Sequence, residues 1–149
     1  MAKLYVDELC SGLNPGTFPK CTAFPMRDSS IVFQRDIPFT SVCMHHFLPF
    51  TGVAHVGYRS TGRIIGLSKL NRIVAYFAKR PQVQELFNKQ VLSALQAILD
   101  TPDVYVKVEA VHSCIQMRGI NQKGSTTVTQ EASGSFKDPT IVDQYLHKL

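Results

Sequence analysis

Between Ser68 and Ile98 the apolar residues recur at helical spacing twice in succession, while the stretches on either side recur at period two. Leu70, Ile73, Val74, Phe77 and Ala78 fall at i, i+3, i+4, i+7 and i+8, one face of a helix. Pro81 punctuates that pattern, and a second stripe follows in Val83, Phe87, Val91, Ala94, Leu95 and Ile98, stopping before Pro102. Before the pair, "IVFQRDIPF" and "GVAHVGY" are rich in β-branched and aromatic residues, and "RSTG" between Tyr58 and "RIIGL" reads as a hairpin connection. After it, Val104, Val106, Val108, Ala110, His112 and Cys114 share one parity, so His112 and Cys114 are expected on one strand face. "GSTTVTQEASGSF" reads as a last strand and "TIVDQYLHKL" as a short terminal helix or tail. At the N-terminus, "AKLYVDELCSGL" reads as a helix with Gly12 as its C-cap. Helix, strands, two helices and strands in that order imply an α+β fold built on an antiparallel sheet.

The chain has 149 residues, 44% of them hydrophobic, which suits one domain with a core of its own. "MAKLYVDELC" lacks the pattern of a signal peptide, and no apolar run approaches the roughly 18 residues of a membrane span, so the expectation is a soluble cytoplasmic protein without a membrane partner. Cys10, Cys21, Cys43 and Cys114 are too few and too unevenly spaced for a disulfide framework. The net charge of +5 suits an anionic partner. Its basic residues are scattered and form no stripe interleaved with aromatics, which favours a nucleotide over nucleic acid.

"SVCMHHFLPF" concentrates the chemistry. Cys43 and His46 have the C-x-x-H spacing that lets two ligands reach one ion, and Cys114 lies in a distant "HSC". Two cysteines and one histidine leave an open position, the composition of a catalytic zinc site rather than a closed structural one. The plain alternative is that these cysteines are small buried hydrophobes and the histidines satisfied core or surface residues. Each cysteine also has a neighbouring histidine to spare, His45 and His112, able to move protons near neutral pH.

"VCMHHFLPFTGVAHVGY", "GRIIGLSKLNRIVAYFAKRPQVQELF" and "AVHSCIQMRGINQKGSTTVT", in that order, resemble GTP cyclohydrolase I over about Ala2 to Phe136. The resemblance implies zinc held by Cys43, His46 and Cys114, with His45 and His112 as catalytic histidines. It places Glu85, with Gln84 beside it, on the guanine base, and Ser68, Lys69, Arg72, Arg118 and Lys3 on the triphosphate, Ser68 also joining the catalytic set. The fold implied is the tunnelling fold, a four-stranded antiparallel sheet with helices on one face. Its subunits close a barrel by oligomerisation, as a homodecamer of two pentameric rings with sites where subunits meet. The reaction implied is hydrolytic opening of the GTP imidazole ring at C8, giving formate and 7,8-dihydroneopterin triphosphate, a product common to folate, biopterin and 7-deazaguanine synthesis.

Two departures from the family pattern stand out. The helical region that usually precedes the "AKLYVDEL" helix, with an arginine of the phosphate site, is expected to be largely absent from residues 1–149. Met44 replaces the acidic residue usual between the cysteine and the first histidine. Two competing readings are a catalytically silent zinc-containing assembly or regulatory subunit, and another tunnelling-fold enzyme acting on a pterin or 7-deazaguanine. Plain roles also compete residue by residue: Glu85 as a first-turn charge on a helix, Ser68 as an N-cap, Lys69, Arg72 and Arg118 as surface cations. His55 and His147 are read as structural, and Cys10 and Cys21 as unliganded.

Overall fold

A computed structural model describes residues 1–147. Its frame is a sheet of five strands. β2 (Ile31–Cys43), β3 (Pro49–Arg59), β6 (Val104–His112) and β7 (Thr127–Ala132) pair antiparallel in that order, as expected. The two-residue β5 (Pro81–Gln82) adds a parallel fifth strand outside β2. The short strands β1 (Ala23–Pro25) and β4 (Arg63–Ile65) pair with each other, apart from the main sheet.

This last pairing corrects the hairpin expected at "RSTG". The chain does turn there, the Ser60 hydroxyl donating to the Arg63 carbonyl at 3.0 Å, but β4 leaves the sheet to meet β1. The Ser60 amide is taken by the Ser30 carbonyl at 2.7 Å, so the sheet ends where a hairpin would have continued it.

The two helical stripes fold as α1 (Leu67–Ala78) and α2 (Gln84–Leu99). Leu70, Ile73, Val74 and Ala78 of the first, with Phe87, Val91, Leu95 and Leu99 of the second, pack on one face of the sheet. That face is made by Ile37 and Phe39 of β2, Ala54, Val56 and Tyr58 of β3, and Val104, Val106, Val108 and Ala110 of β6. Removing this apolar surface from water, at about 25 cal/mol per Å², is the main force holding the helices to the sheet. α2 ends at Asp100, whose left-handed backbone (φ 51°) closes the last turn.

A β-bulge between Gln34 and Ile37, with Asp36 at φ 56°, explains why the alternation of "IVFQRDIPF" is only partial. Before the bulge, Val32 packs with the helix-side core; after it, Ile37 and Phe39 do, because one extra residue moves the strand's parity across the sheet. The opposite face carries its own small core at one end. Tyr105, Phe136 and Val142 are buried there with Phe33, under the turn Gly134–Lys137 and α4 (Pro139–Leu146), so one helix lies on the second face. The tail expected in "TIVDQYLHKL" is helical to Leu146, and its last two residues lie outside those described.

The N-terminal helix carries wide turns over Leu4–Leu9, closed by the Cys10 amide on the Tyr5 carbonyl at 2.7 Å. Gly12 is not its C-cap. It sits in a following tight turn, Ser11–Leu13, its amide donating to the Lys79 carbonyl at 2.8 Å. Any side chain there would collide with the Tyr76 carbonyl, so the glycine allows the N-terminal segment to lie against the end of α1.

Candidate active site

Cys43 is the last residue of β2, and the chain reverses immediately after it. The Phe47 amide donates to the Cys43 carbonyl and the Cys43 amide to the Leu48 carbonyl, both at 2.8 Å, with Phe47 in the left-handed region (φ 56°). That tight loop returns both histidines to the cysteine: Nδ1 of His45 and Nδ1 of His46 each lie 3.9 Å from Cys43 Sγ. The third element arrives from the far side of the sequence. β6 ends at His112, and Ser113–Gln116 form the single helical turn α3, which carries the Cys114 Sγ to 4.0 Å from Cys43 Sγ.

The shared strand face expected for His112 and Cys114 is thus corrected. A strand would send both side chains the same way at a fixed rise, whereas the turn sends Cys114 toward Cys43 and leaves His112 on the sheet. The ligand atoms of Cys43, His46 and Cys114 all lie within 4.8 Å of one another. Tetrahedral zinc, with Zn–S near 2.3 Å and Zn–N near 2.0–2.1 Å, would hold its sulfurs about 3.8 Å apart and a sulfur and nitrogen about 3.6 Å apart. The residues fit a zinc ion with small adjustments. Two thiols and one imidazole are also the donor mixture zinc prefers. Cys43 is buried and His46 exposed, so the open side faces solvent.

His112 ends the core-facing parity of β6, where the apolar stripe runs out from under the helices. Its ring stacks on Phe50, its cross-strand partner in β3, with centroids 4.4 Å apart and planes within 4°. Its Nε2 lies 2.7 Å from Oε1 of Gln84, at the start of α2. Burial holds the His112 imidazole below its ordinary pKa, and the nearby Glu85 carboxylate pulls it partly back. Burial also raises the Cys114 thiol, helped by the adjacent Cys43, while Arg118 opposes that shift.

Gln84 itself is 3% exposed, and its amide nitrogen faces the Val108 carbonyl, the Thr127 carbonyl and the Thr129 hydroxyl at 3.0–3.2 Å. Sequence reasoning does not reveal this bridge between α2, β6 and β7, nor the Phe50 stack, because both depend on strand register. Glu85, the next residue, is exposed in the first turn of α2.

The residues expected at the phosphates are spread over three parts of the chain. Ser68, Lys69 and Arg72 occupy the first turns of α1, where Gly66 is the N-cap, so Ser68 is inside the helix and not its cap. Arg118 is exposed in the loop after α3, and Lys3 is exposed on the N-terminal helix. That helix also touches the metal loop, the Tyr5 hydroxyl donating to the Phe47 carbonyl at 2.9 Å. No helix among the described residues is long and apolar enough to cross a membrane.

Comparison with known proteins shows the family and the fold. The sequence profile of the family described as GTP cyclohydrolase I matches residues 1–149. A protein of Aeromonas hydrophila named GTP cyclohydrolase 1 is 48% identical over 139 residues, covering 92% of this chain and 64% of its own length. Proteins of the same name from Flavobacterium johnsoniae and Vibrio cholerae are each 46% identical, covering 98% and 100% of this chain and 66% and 70% of their own. The chain thus spans roughly two thirds of the length of these relatives. Among solved structures, an archaeosine synthase of the QueF-like type in its apo form superposes with a TM-score of 0.60 at 18% identity, over 72% of this chain and 97% of that one, a likeness of fold.

Proposed function

The chain belongs to the GTP cyclohydrolase I family, and on that premise we propose that it opens the imidazole ring of GTP at C8 and releases formate, yielding 7,8-dihydroneopterin triphosphate. The observation that carries the reading is the convergence of Cys43, His46 and Cys114 within 4.8 Å, beside His112, whose ring is held by the buried Gln84 side chain. Zinc held by those three residues would supply Lewis acidity, bringing the pKa of a bound water down to about 7.

The chain's own side chains then divide the remaining work. Attack of water on an aromatic carbon requires protonation of N7 or N9 as charge builds, and His112 and His45 would give and recover that proton. A positioned acid or base of this kind contributes about 10² to 10⁴ in rate. Ring opening leaves a formamide, and its hydrolysis with a second water releases formate. Glu85 would accept from N1–H and the 2-amino group of guanine, with Gln84 beside it. Ser68, Lys69, Arg72, Arg118 and Lys3 would meet the triphosphate, Ser68 also serving the later steps on the ribose. The assembly would be a homodecamer of two pentameric rings, working in the cytoplasm.

The test is direct: zinc-loaded protein is incubated with GTP, and formate and the pterin product are quantified. We expect stoichiometric formate. Full zinc occupancy with no formate would instead identify a silent member of the family.

A further inference from the structure

Gln84 is a buried side chain with every polar atom engaged, and the direction of its hydrogen bonds is fixed by its surroundings. Two of the groups facing its amide nitrogen, the carbonyls of Val108 at 3.2 Å and Thr127 at 3.1 Å, are acceptors only. The third, Thr129 Oγ1 at 3.0 Å, passes its own hydrogen on to Asn88 Oδ1 at 3.4 Å. Turning the amide over would set its oxygen against two carbonyl oxygens in a buried place, which is costly. The atom facing His112 is therefore oxygen, and at 2.7 Å it can only accept.

An oxygen there requires a hydrogen on His112 Nε2. The Phe50 stack, 4° from parallel at 4.4 Å, holds the ring plane while the Gln84 contact sets its rotation within that plane. Among the described residues, Nδ1 has no hydrogen-bond partner, so it is the nitrogen left for chemistry. We propose that Gln84 is a positioning residue: its amide oxygen fixes His112 as the Nε2–H tautomer and presents Nδ1 as the nitrogen that exchanges protons with the substrate. This rests on the reading of His112 as a proton-transfer group, and it assigns Gln84 a role through the histidine rather than through the base.

Long-range ¹H–¹⁵N correlation on zinc-loaded, histidine-labelled protein reads the tautomer, with His112 assigned by the peaks lost in His112→Asn. The neutral His112 ring should show a protonated Nε2 and an unprotonated Nδ1. In Gln84→Met, which keeps the bulk, the ring should become a mixture of tautomers. Its kcat and kcat/KM should fall together by about 10²-fold with KM for GTP unchanged, the pattern of a lost proton-transfer geometry. An Nδ1–H ring in the unaltered protein overturns the proposal, as does a Gln84→Met enzyme with raised KM and intact kcat, which would make the residue a base contact. Loss of turnover with the tautomer unchanged overturns it too. If Gln84→Met fails to fold, the tautomer of the unaltered protein still decides. An Nε2–H ring in a protein that releases no formate would uphold the hold on His112 and remove the reaction.

Discussion

Glu85 stands where two roles compete for one carboxylate. A negative charge in the first turn of a 16-residue helix is stabilised by the helix dipole whatever else it does, by a few tenths of a kcal/mol to about 1 kcal/mol. Its sequence neighbour Gln84, however, is bonded to His112, and the Glu85 carboxylate raises the His112 pKa against the effect of burial. If it receives N1–H and the 2-amino group of guanine, ATP offers it an acceptor at N1 and no 2-amino group, and a site built on such hydrogen bonds discriminates by about 10⁴ to 10⁵. Glu85→Gln should therefore keep the fold and bound zinc while steady-state GTP turnover falls by orders of magnitude; unchanged kinetics would return the residue to a dipole role. Not every part of this site is equally readable from sequence. Cys43 and His46 announce themselves by type and spacing, and a cysteine paired with a histidine marks Cys114, although 71 residues separate it from Cys43. The Gln84–His112 bridge leaves no such mark, since glutamine is chemically common and the contact exists only once α2, β6 and β7 are in register.

The strands show where period-two reading succeeds and where it stops. β6 alternates cleanly because one face is covered along its whole length, whereas β2 changes parity at its bulge and hides half its pattern. The bulge also creates a pH-sensitive contact. The Asp36 amide donates to His55 Nδ1 at 3.2 Å, a bond available only to the neutral ring, and the His55 side chain is 12% exposed. Burial lowers the His55 pKa from 6.5; Asp36 and Glu109 partly restore it, while Lys107 and Arg35 act with burial. Below about 6.5 the unfolded chain therefore takes up a proton that the folded chain refuses, so stability declines as pH falls, by at most about 1.4 kcal/mol per unit, until the folded ring is also protonated. Glu109, held below its ordinary 4.5 first by the Lys107 hydrogen bond, surrenders its contribution only at more acid pH. His55→Gln should make the upper decline shallower, leaving the share that comes from His112, whose pKa burial also lowers, and should leave the lower one unchanged, as read by urea denaturation between pH 7 and 4. Gly52 tests register near the site. It pairs with Ala110, two residues from both Phe50 and His112, and a Cβ there would strike the Glu109 carbonyl and approach Ala110 Cα at 2.7 Å. Gly52→Ala should cost about 1–3 kcal/mol in denaturation and weaken the Phe50–His112 stack with it, whereas an unaltered midpoint would show that the strands part easily.

At the scale of the chain, the residues assigned to one substrate lie at opposite ends of α1. The helix begins just after β4, beside the start of β2, and ends where β5 pairs with Val42 and Cys43. Ser68, Lys69 and Arg72 occupy its first turns, so at about 1.5 Å per residue they stand about 10 to 15 Å along the axis from the end that leads into β5, which meets the metal loop. A single chain therefore gathers the ligands, His112 and Glu85 at one end of α1, and Lys69 and Arg72 at the other. Sheet edges point the same way: β7 lies at one edge with Val128 exposed, and only the two residues of β5 cover the other, an arrangement that invites pairing between subunits. If the substrate bridges neighbouring subunits, the two groups must come from different chains, and that has a consequence a single-chain site cannot produce. Cys114→Ser should abolish zinc binding and turnover, and the double variant Lys69→Ala, Arg72→Ala should bind zinc but fail with GTP. Co-expressed in equal amounts and allowed to assemble at random, the two should recover about a quarter of the formate release of the unaltered protein, because a site then draws intact ligands from one chain and intact cations from its neighbour in about one case in four. Mixed assemblies as inactive as either parent would place the whole substrate on one chain, and the separation of the two groups along α1 would then have to be closed by movement within the subunit.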